Sequence, residues 1–228
     1  MTPAGGLISL LVGAVLLRLE LTGSYGRYVR VGMGPWLAVT AVAVIVLGLV
    51  TLLRTLRHAR PVDVHDHHRG GGDRMGWLLL APIAALLLVA PPTLGSYGVG
   101  RGSQVDIRSG GAVFDSLARR SEPATMTLLE FGQRALDRDG ASFHGAAVQL
   151  TGFVAGAEAG GFRLARYQIA CCAADAAPVV LRVVGTRGSP ARDQWVRVTG
   201  TFQRGGGEVP ELAATSVVEI PAPDDPYE

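Results

Sequence analysis

Cysteine is scarce in this chain of 228 residues: there are two, adjacent in sequence, Cys171 and Cys172. Two neighbouring cysteines cannot form the disulfide framework of a small secreted domain, so they act as one unit or not at all. Surplus positive charge is lacking too, because the formal net charge is +2 and the residues after Gly95 carry thirteen arginines against fifteen acidic side chains. This balance is not that of a nucleic-acid-binding protein, and we expect no nucleic-acid partner.

Familiar catalytic motifs are also absent from the sequence. It has no Gly-rich phosphate loop, no histidine–glutamate zinc helix and no G-x-S-x-G elbow, and the part after Gly95 has a single histidine, His144. Thiol–disulfide oxidoreductases usually place C-x-x-C at the start of a helix, where backbone amides lower the thiol pKa, and an adjacent pair on a strand lacks that assistance. The sequence therefore predicts a protein that is not an enzyme.

Long apolar stretches, in contrast, are prominent in the first 95 residues. Those at 36–53 and 75–94 come close to the roughly 20 residues that a helix needs to span a bilayer. A further stretch, at about 4–25, carries Arg18 and Glu20 near its end, and these charges either reach the membrane interface or contact a partner inside a bundle. We therefore expect a membrane region of three helices in the lipid bilayer of the cell membrane.

Arginines in the connecting loops predict the orientation of this region. Five of them lie between the second and third helices, whereas the preceding loop has two. The five are Arg54, Arg57, Arg60, Arg69 and Arg74, and the two are Arg27 and Arg30. Because positively charged loops stay in the cytoplasm, the middle loop is predicted to be cytoplasmic and everything after Gly95 extracytoplasmic, in a multi-pass arrangement.

The same middle loop contains a histidine cluster, His65, His67 and His68, followed closely by three glycines. Imidazoles on a flexible segment suit borderline metals such as zinc, so the cluster is a weak candidate metal site. The alternative is that the histidines belong to a hydrophilic connector without a specific ligand.

The rest of the chain has a different pattern. Residues 96–124 are predicted to be a flexible linker, since glycine, serine and arginine are frequent there without an apolar period. Thr127 and Glu130 form a capping box that begins a helix, and Gly140 is placed to end it. Further on, about five short runs have the apolar pattern of strands, at 148–153, 162–169, 179–183, 195–202 and 212–220. Together with the helix before them, these runs predict a helix plus an OB-like five-stranded β-barrel over residues 125–228. A small β-sandwich is the alternative fold.

The cysteine pair is followed by Asp175, and both sulfurs can face one ligand only if the strand ends at the pair. Three interpretations are open. In the first, one cysteine packs in the barrel core as a small apolar residue. In the second, the thiolates bind a soft or borderline metal ion such as zinc, together with Asp175 or an imidazole such as His144. In the third, the pair forms a strained, easily reduced vicinal disulfide, because adjacent Cα atoms are only about 3.8 Å apart.

Several segments spread along the chain resemble a known family. They are Thr22-Gly23 with Tyr28, Pro35-Trp36, Gly152 to Val154, Cys171 to Ala176, Trp195 to Gly200, and the tail from Pro223 to Tyr227. In these segments the chain resembles the YcgQ-like family of bacterial membrane proteins, described as permease subunits with a few N-terminal helices and a C-terminal domain of unknown function. The resemblance implies a partner, a larger multi-helix permease, whose relatives include exporters of metalloid compounds.

These expectations combine into one leading hypothesis. The chain is a non-enzymatic accessory subunit of a membrane permease in metal or metalloid transport, with Cys171, Cys172 and Asp175 as the candidate metal site on an extracytoplasmic β domain. Two alternatives stay open: a membrane-tethered thiol–disulfide redox protein, and a purely structural scaffold for the permease.

Overall fold

In the computed structural model, the described residues are 3–57, 94–101, 105, 107, 114–117, 122–186, 188–205 and 209–228. The chain forms two compact units, Met1–Pro92 and Thr93–Glu228. Two of the sequence predictions lie outside the described residues: the apolar helix at 75–94, apart from its last residue, and the loop with His65, His67 and His68.

The first unit contains two apolar helices, α1 (Pro3–Leu21) and α2 (Gly34–Arg57), with short 3-10 turns at Ser24–Arg27 and Val31–Met33. Helix α2 is longer than predicted, since the basic residues in its last turn favour continuation by interacting with the helix dipole. Among the described residues, one segment, Val31–Arg57, is long and apolar enough to cross a membrane, with a mean hydropathy of 2.6. By length and composition it points weakly to membrane association, and the multi-pass arrangement stays a prediction.

Small residues let α1 and α2 pack closely. A Cβ atom added at Gly13 would lie 2.5 Å from Ile45 Cγ1, and one at Gly48 would lie 3.0 Å from the Gly6 carbonyl oxygen. Side chains larger than hydrogen would therefore push the two helices apart. Close backbone approach at small residues is the packing that membrane helices use when no hydrophobic driving force brings them together.

The two charges near the end of α1 lie in different surroundings. Arg18 is exposed, whereas Glu20 is half-buried. A Cβ added at Gly34, the first residue of α2, would lie 3.1 Å from Glu20 Oε1 and 2.7 Å from the Tyr25 hydroxyl oxygen. Glu20 thus makes the contact with a neighbouring helix, and Arg18 has the exposure that an interfacial position requires.

The second unit is built on a mixed sheet of six described strands. The strands are β1 (Ala124–Thr125), β2 (Ala147–Glu158), β3 (Gly161–Gln168), β4 (Ala177–Val184), β5 (Trp195–Gln203) and β6 (Glu211–Ile220). Neighbours follow the order β1-β2-β3-β4-β6-β5, and β5 pairs in addition with β2. The β1–β2 and β4–β6 pairs are parallel and the others antiparallel. The five long strands lie where they were predicted, and they share one sheet, whereas the alternative sandwich requires two.

Helix α3 (Leu128–Leu136) precedes β2 and begins at the predicted cap, where the Thr127 hydroxyl oxygen accepts a hydrogen bond from the Glu130 N–H at 3.0 Å. It ends before Gly140, which instead adopts a left-handed conformation (φ 73°) inside the 3-10 stretch Asp137–Phe143. A side chain at Gly140 would meet the Phe202 ring. This ring lies 4.9 Å from that of Phe143 between ring centres, so the glycine makes room for an aromatic stack.

Apolar side chains cover both faces of the sheet. The main core contains α3 and one set of strand residues, such as the directly paired Leu164 and Leu181. A second set packs on the opposite face and forms what we call the outer cluster. Its buried members are Phe153, Ala155, Ala165, Tyr167, Ile169, Val180, Trp195 and Tyr227. Leu94, the last residue of the apolar stretch predicted at 75–94, and Val99, in the predicted linker, pack against it. The chain leaves the outer cluster at Ile169 and enters the cysteine segment.

Candidate metal centre

The cysteines lie in the connection between β3 and β4. Strand β3 ends at Gln168, a 3-10 turn spans Ala173–Asp175, and β4 begins at Ala177. Because the strand ends before the pair, Cys171 and Cys172 escape the alternation that would place their side chains on opposite faces of the sheet. This is the condition under which both sulfurs can serve one ligand.

The Asp175 carboxylate organises the turn. Its Oδ1 accepts a hydrogen bond from the Ala170 N–H at 2.9 Å, and its Oδ2 accepts one from the Cys171 N–H at 2.9 Å and a longer one from the Cys172 N–H at 3.4 Å. The Cys171 thiol also donates to Oδ2, with Sγ and Oδ2 3.0 Å apart. Short polar side chains that accept from nearby backbone N–H groups are a common way to fix tight turns. The aspartate therefore shapes the backbone and also touches a sulfur.

Thiol and carboxylate shift each other's pKa in opposite directions. The hydrogen bond to Asp175, and next the one with Cys172, raise the pKa of Cys171 from 9.0 to about 11. The bond from the Cys171 thiol, and next those from the backbone N–H groups, lower the pKa of the Asp175 carboxyl from 3.8 to about 2. At neutral pH the turn therefore holds a protonated thiol against an ionised carboxylate.

Three ligand atoms converge at this point. The sulfurs of Cys171 and Cys172 and an oxygen of Asp175 all lie within 4.8 Å of one another. Neighbouring ligands of a tetrahedral zinc ion are about 3.5 to 3.8 Å apart, given metal–ligand bonds of about 2.0 to 2.3 Å. The limit of 4.8 Å among the three atoms is about 1 Å above that spacing. Thiolate sulfur is the protein ligand best suited to soft and borderline metals, and a carboxylate oxygen is compatible with zinc.

The structure also decides between some of the sequence interpretations. Cys171 is exposed and Cys172 half-buried, and both are free thiols. Neither belongs to the main core or to the outer cluster, so the interpretation of a cysteine packed in the barrel core is wrong: the chain turns away from the sheet before the pair is reached. His144 does not join the three ligand atoms, and its Nε2 lies 3.0 Å from the Ser116 hydroxyl oxygen instead.

Sequence reasoning missed the residues that hold the β3 side of the turn. Arg166 donates to the Tyr227 carbonyl oxygen at 3.0 Å, although 61 residues separate the two. The Glu228 N–H donates to the Tyr167 carbonyl oxygen at 2.9 Å, and the Ile169 N–H donates to the Glu228 carbonyl oxygen at 3.2 Å. The tail thus continues the sheet next to β3, up to the residue before Ala170. The sequence carries no periodic signal for such a contact.

The side chain of Glu228 has a second role that the sequence did not predict. Its Oε1 accepts a hydrogen bond from the Leu128 N–H at 2.7 Å, and its Oε2 accepts one from the Leu129 N–H at 3.2 Å. Burial raises the pKa of this carboxyl above 4.5 despite those two bonds. The tail therefore caps the first turn of α3, where helix N–H groups lack partners within the helix.

Fold and site together define a mixed β-sheet domain that exposes two thiols and a carboxylate on one turn. A family model described as the DUF1980 C-terminal domain matches residues 132–228. The match covers β2 to β6 and the whole cysteine turn, and it is consistent with a DUF1980 family member. No curated protein matches the chain.

Proposed function

We propose that this chain is a non-enzymatic accessory subunit of a membrane permease, and that its β domain captures a soft or borderline metal ion at Cys171, Cys172 and Asp175. The observation that carries the proposal is the convergence of the three ligand atoms within 4.8 Å on one exposed turn. The permease, a larger multi-helix protein of the same bilayer, comes from the resemblance to the YcgQ-like family. The DUF1980 match supports the domain and does not extend to that partner.

The strand pairings support an OB-type barrel as the scaffold of this site. Pairing runs from β2 through β3, β4, β6 and β5 and returns to β2. A sheet whose last strand pairs with its first long strand has the connectivity of a small barrel. In such a barrel, the main core, to which α3 and Phe143 belong, would be the interior. In such a scaffold the β3–β4 turn protrudes from a rigid base, which suits ligands that must keep a fixed spacing.

The placement outside the cytoplasm rests on the arginine-rich middle loop and on two crossings of the bilayer. One is Val31–Arg57, the candidate membrane segment among the described residues, and the other is the helix predicted at 75–94, which carries the chain back across. In this arrangement the thiols meet metal ions that arrive from outside the cell. The histidine cluster at His65, His67 and His68 would then face the cytoplasm as a second, weaker metal site.

Metal capture is better supported than thiol–disulfide exchange. The attacking species in exchange is the thiolate, and the hydrogen bond to Asp175, followed by the one with Cys172, raises the pKa of Cys171 to about 11. A metal ion changes this situation, because it displaces the thiol proton. Its positive charge is then attracted to the neighbouring carboxylate, which stabilises the bound ion. The same aspartate that impedes a redox role therefore assists a metal-binding role.

The test measures metal on the full chain purified in detergent micelles. We expect elemental analysis and competition titrations to find one Zn²⁺ or Cu⁺ per chain, and the double substitution Cys171→Ser with Cys172→Ser to abolish binding. Asp175→Asn should weaken it, whereas Asp224→Asn, an identical change at an exposed tail position, should not. Equal metal content in the parent protein and the double-serine variant would refute the proposal.

The same preparation separates the two alternatives. A two-dalton loss of mass that a reductant reverses would identify a vicinal disulfide and favour a membrane-tethered redox protein. A metal-free protein that still recovers a multi-helix permease in a pull-down would favour a structural scaffold.

A further inference from the structure

The turn offers three ligand atoms to a metal that usually takes four. Zinc in structural sites is held by four protein ligands, whereas sites that exchange ligands supply three and leave one position open. Among the described residues, the group of cysteine, histidine and acidic side chains at this turn comprises Cys171, Cys172 and Asp175.

Asp175 is poorly placed to fill the fourth position with its second oxygen. Oδ1 faces the Ala170 N–H at 2.9 Å, on the side of the turn backbone, while Oδ2 faces the Cys171 sulfur at 3.0 Å. Rotating the carboxylate to chelate through both oxygens would break the backbone bond to Ala170. The carboxylate therefore contributes one oxygen, Oδ2. This is the oxygen that accepts the hydrogen bond of the Cys171 thiol, and the metal would take the place of that proton.

The open position would face solvent. Cys171 and Asp175 are exposed and Cys172 is half-buried, so nothing among the described parts of the turn encloses the three ligand atoms. From these observations we infer that the turn is a transfer site, whose fourth ligand is a thiolate or an imidazole presented by an acceptor protein. This inference rests on the proposed function and adds the chemistry of the partner.

An open coordination position has a kinetic consequence. The acceptor's ligand binds the metal before any protein ligand leaves, so the metal passes between the two proteins without being released into water. The oxygen of Asp175 is the hardest of the three ligands and holds a soft ion least firmly, so it is the first to yield. The metal would then be held by the two sulfurs of the turn and by the acceptor.

The experiment uses the full chain in detergent micelles, loaded with Co²⁺ as a spectroscopic substitute for zinc and titrated with imidazole or N-acetylcysteine. We expect a thiolate-to-cobalt absorption band in the loaded protein and a saturable shift of its d–d bands, with one added ligand per Co²⁺. The Cys172→Ser variant should lose intensity in the thiolate band, whereas Asp224→Asn should match the parent. Absence of the thiolate band in the parent protein would refute the proposed function itself, and with it this inference.

A second measurement follows Zn²⁺ transfer to the chelator 4-(2-pyridylazo)resorcinol. At an open site the transfer rate should rise in proportion to chelator concentration, because the chelator enters the coordination shell. A rate independent of chelator concentration, or d–d bands that imidazole leaves unchanged, would show a closed site and overturn the transfer inference while the metal site itself survives.

Discussion

Replacing Asp175 by Asn should make Cys171 react faster with disulfides. In the parent protein the pKa of Cys171 is raised from 9.0 to about 11, first by the hydrogen bond to the Asp175 carboxylate and next by the one with Cys172. Near pH 8, a thiol of pKa about 9 is thiolate about 100 times more often than one of pKa about 11. The thiolate of lower pKa is intrinsically less nucleophilic, by about tenfold for this difference. Because Cys172 also contributes to the raised pKa, the two factors leave a net acceleration of at most about tenfold.

The assay follows the reaction with Ellman's reagent in a Cys172→Ser background, where Cys171 is the single thiol. The exposed carboxylate Asp224 provides the matched control, because Asp224→Asn removes the same charge away from the turn. Equal rates for the two asparagine variants would mean that the Asp175 carboxylate does not set the thiol pKa. That result would also remove the electrostatic argument for preferring metal capture.

The same pair has a defined dependence on pH. A raised thiol pKa means that the Cys171 contribution to stability is present below pH 9.0 and is lost as the pH rises through about 11. The lowered pKa of Asp175 means that its contribution is present above pH 3.8 and is lost as the pH falls through about 2. Between these limits, the thiol–carboxylate bond should keep the turn equally protected in hydrogen exchange at every pH, after correction for the intrinsic exchange rate.

Three further predictions concern the fold. At pH 4, Glu228→Ala should lower the free energy of unfolding by about 1–2 kcal/mol because α3 loses its cap, against less than about 0.5 kcal/mol for the exposed Glu219→Ala. Because the pKa of Glu228 is raised, its contribution is present below pH 4.5 and is lost as the pH rises through the raised value, so chemical denaturation should show a larger cost at low pH. Gly140→Ala should cost about 2–4 kcal/mol, from its left-handed backbone and an overpacked aromatic stack, whereas Gly160→Ala, also left-handed but with open space around it, should cost about 1 kcal/mol. Gly13→Leu should separate α1 from α2, seen as a longer distance between spin labels on the two helices, and an unchanged distance would contradict the packing described.

Local patterns allowed much of this fold to be predicted from the sequence. The five long strands were predicted because alternation of apolar residues is a property of neighbouring positions, and α3 was predicted because its cap lies within four residues. Asp175 was predicted as a partner of the cysteines for the same reason. Strand β1 was missed, since two residues carry no periodicity and the strand exists through its pairing with β2.

Long-range contacts could not be predicted in this way. Glu228 caps a helix 100 residues earlier in the chain, and no feature of either segment marks the other. His144 was an equal candidate in sequence because an imidazole can ligate from any distance along the chain. In the structure it lies beside Ser116 instead. The outer cluster could not be predicted for a related reason. The sequence of a strand that is apolar on both faces does not indicate which segments of the chain pack against its second face.

The outer cluster has a practical consequence for work with isolated fragments. A fragment trimmed to the family match at 132–228 would cut α3 in its middle and remove Leu94 and Val99. The aromatic surface around Phe153 would then lose part of its cover, and surfaces of that kind promote aggregation during expression. A soluble fragment should therefore begin at Leu94, which keeps both covering residues and leaves out the rest of the apolar stretch at 75–94.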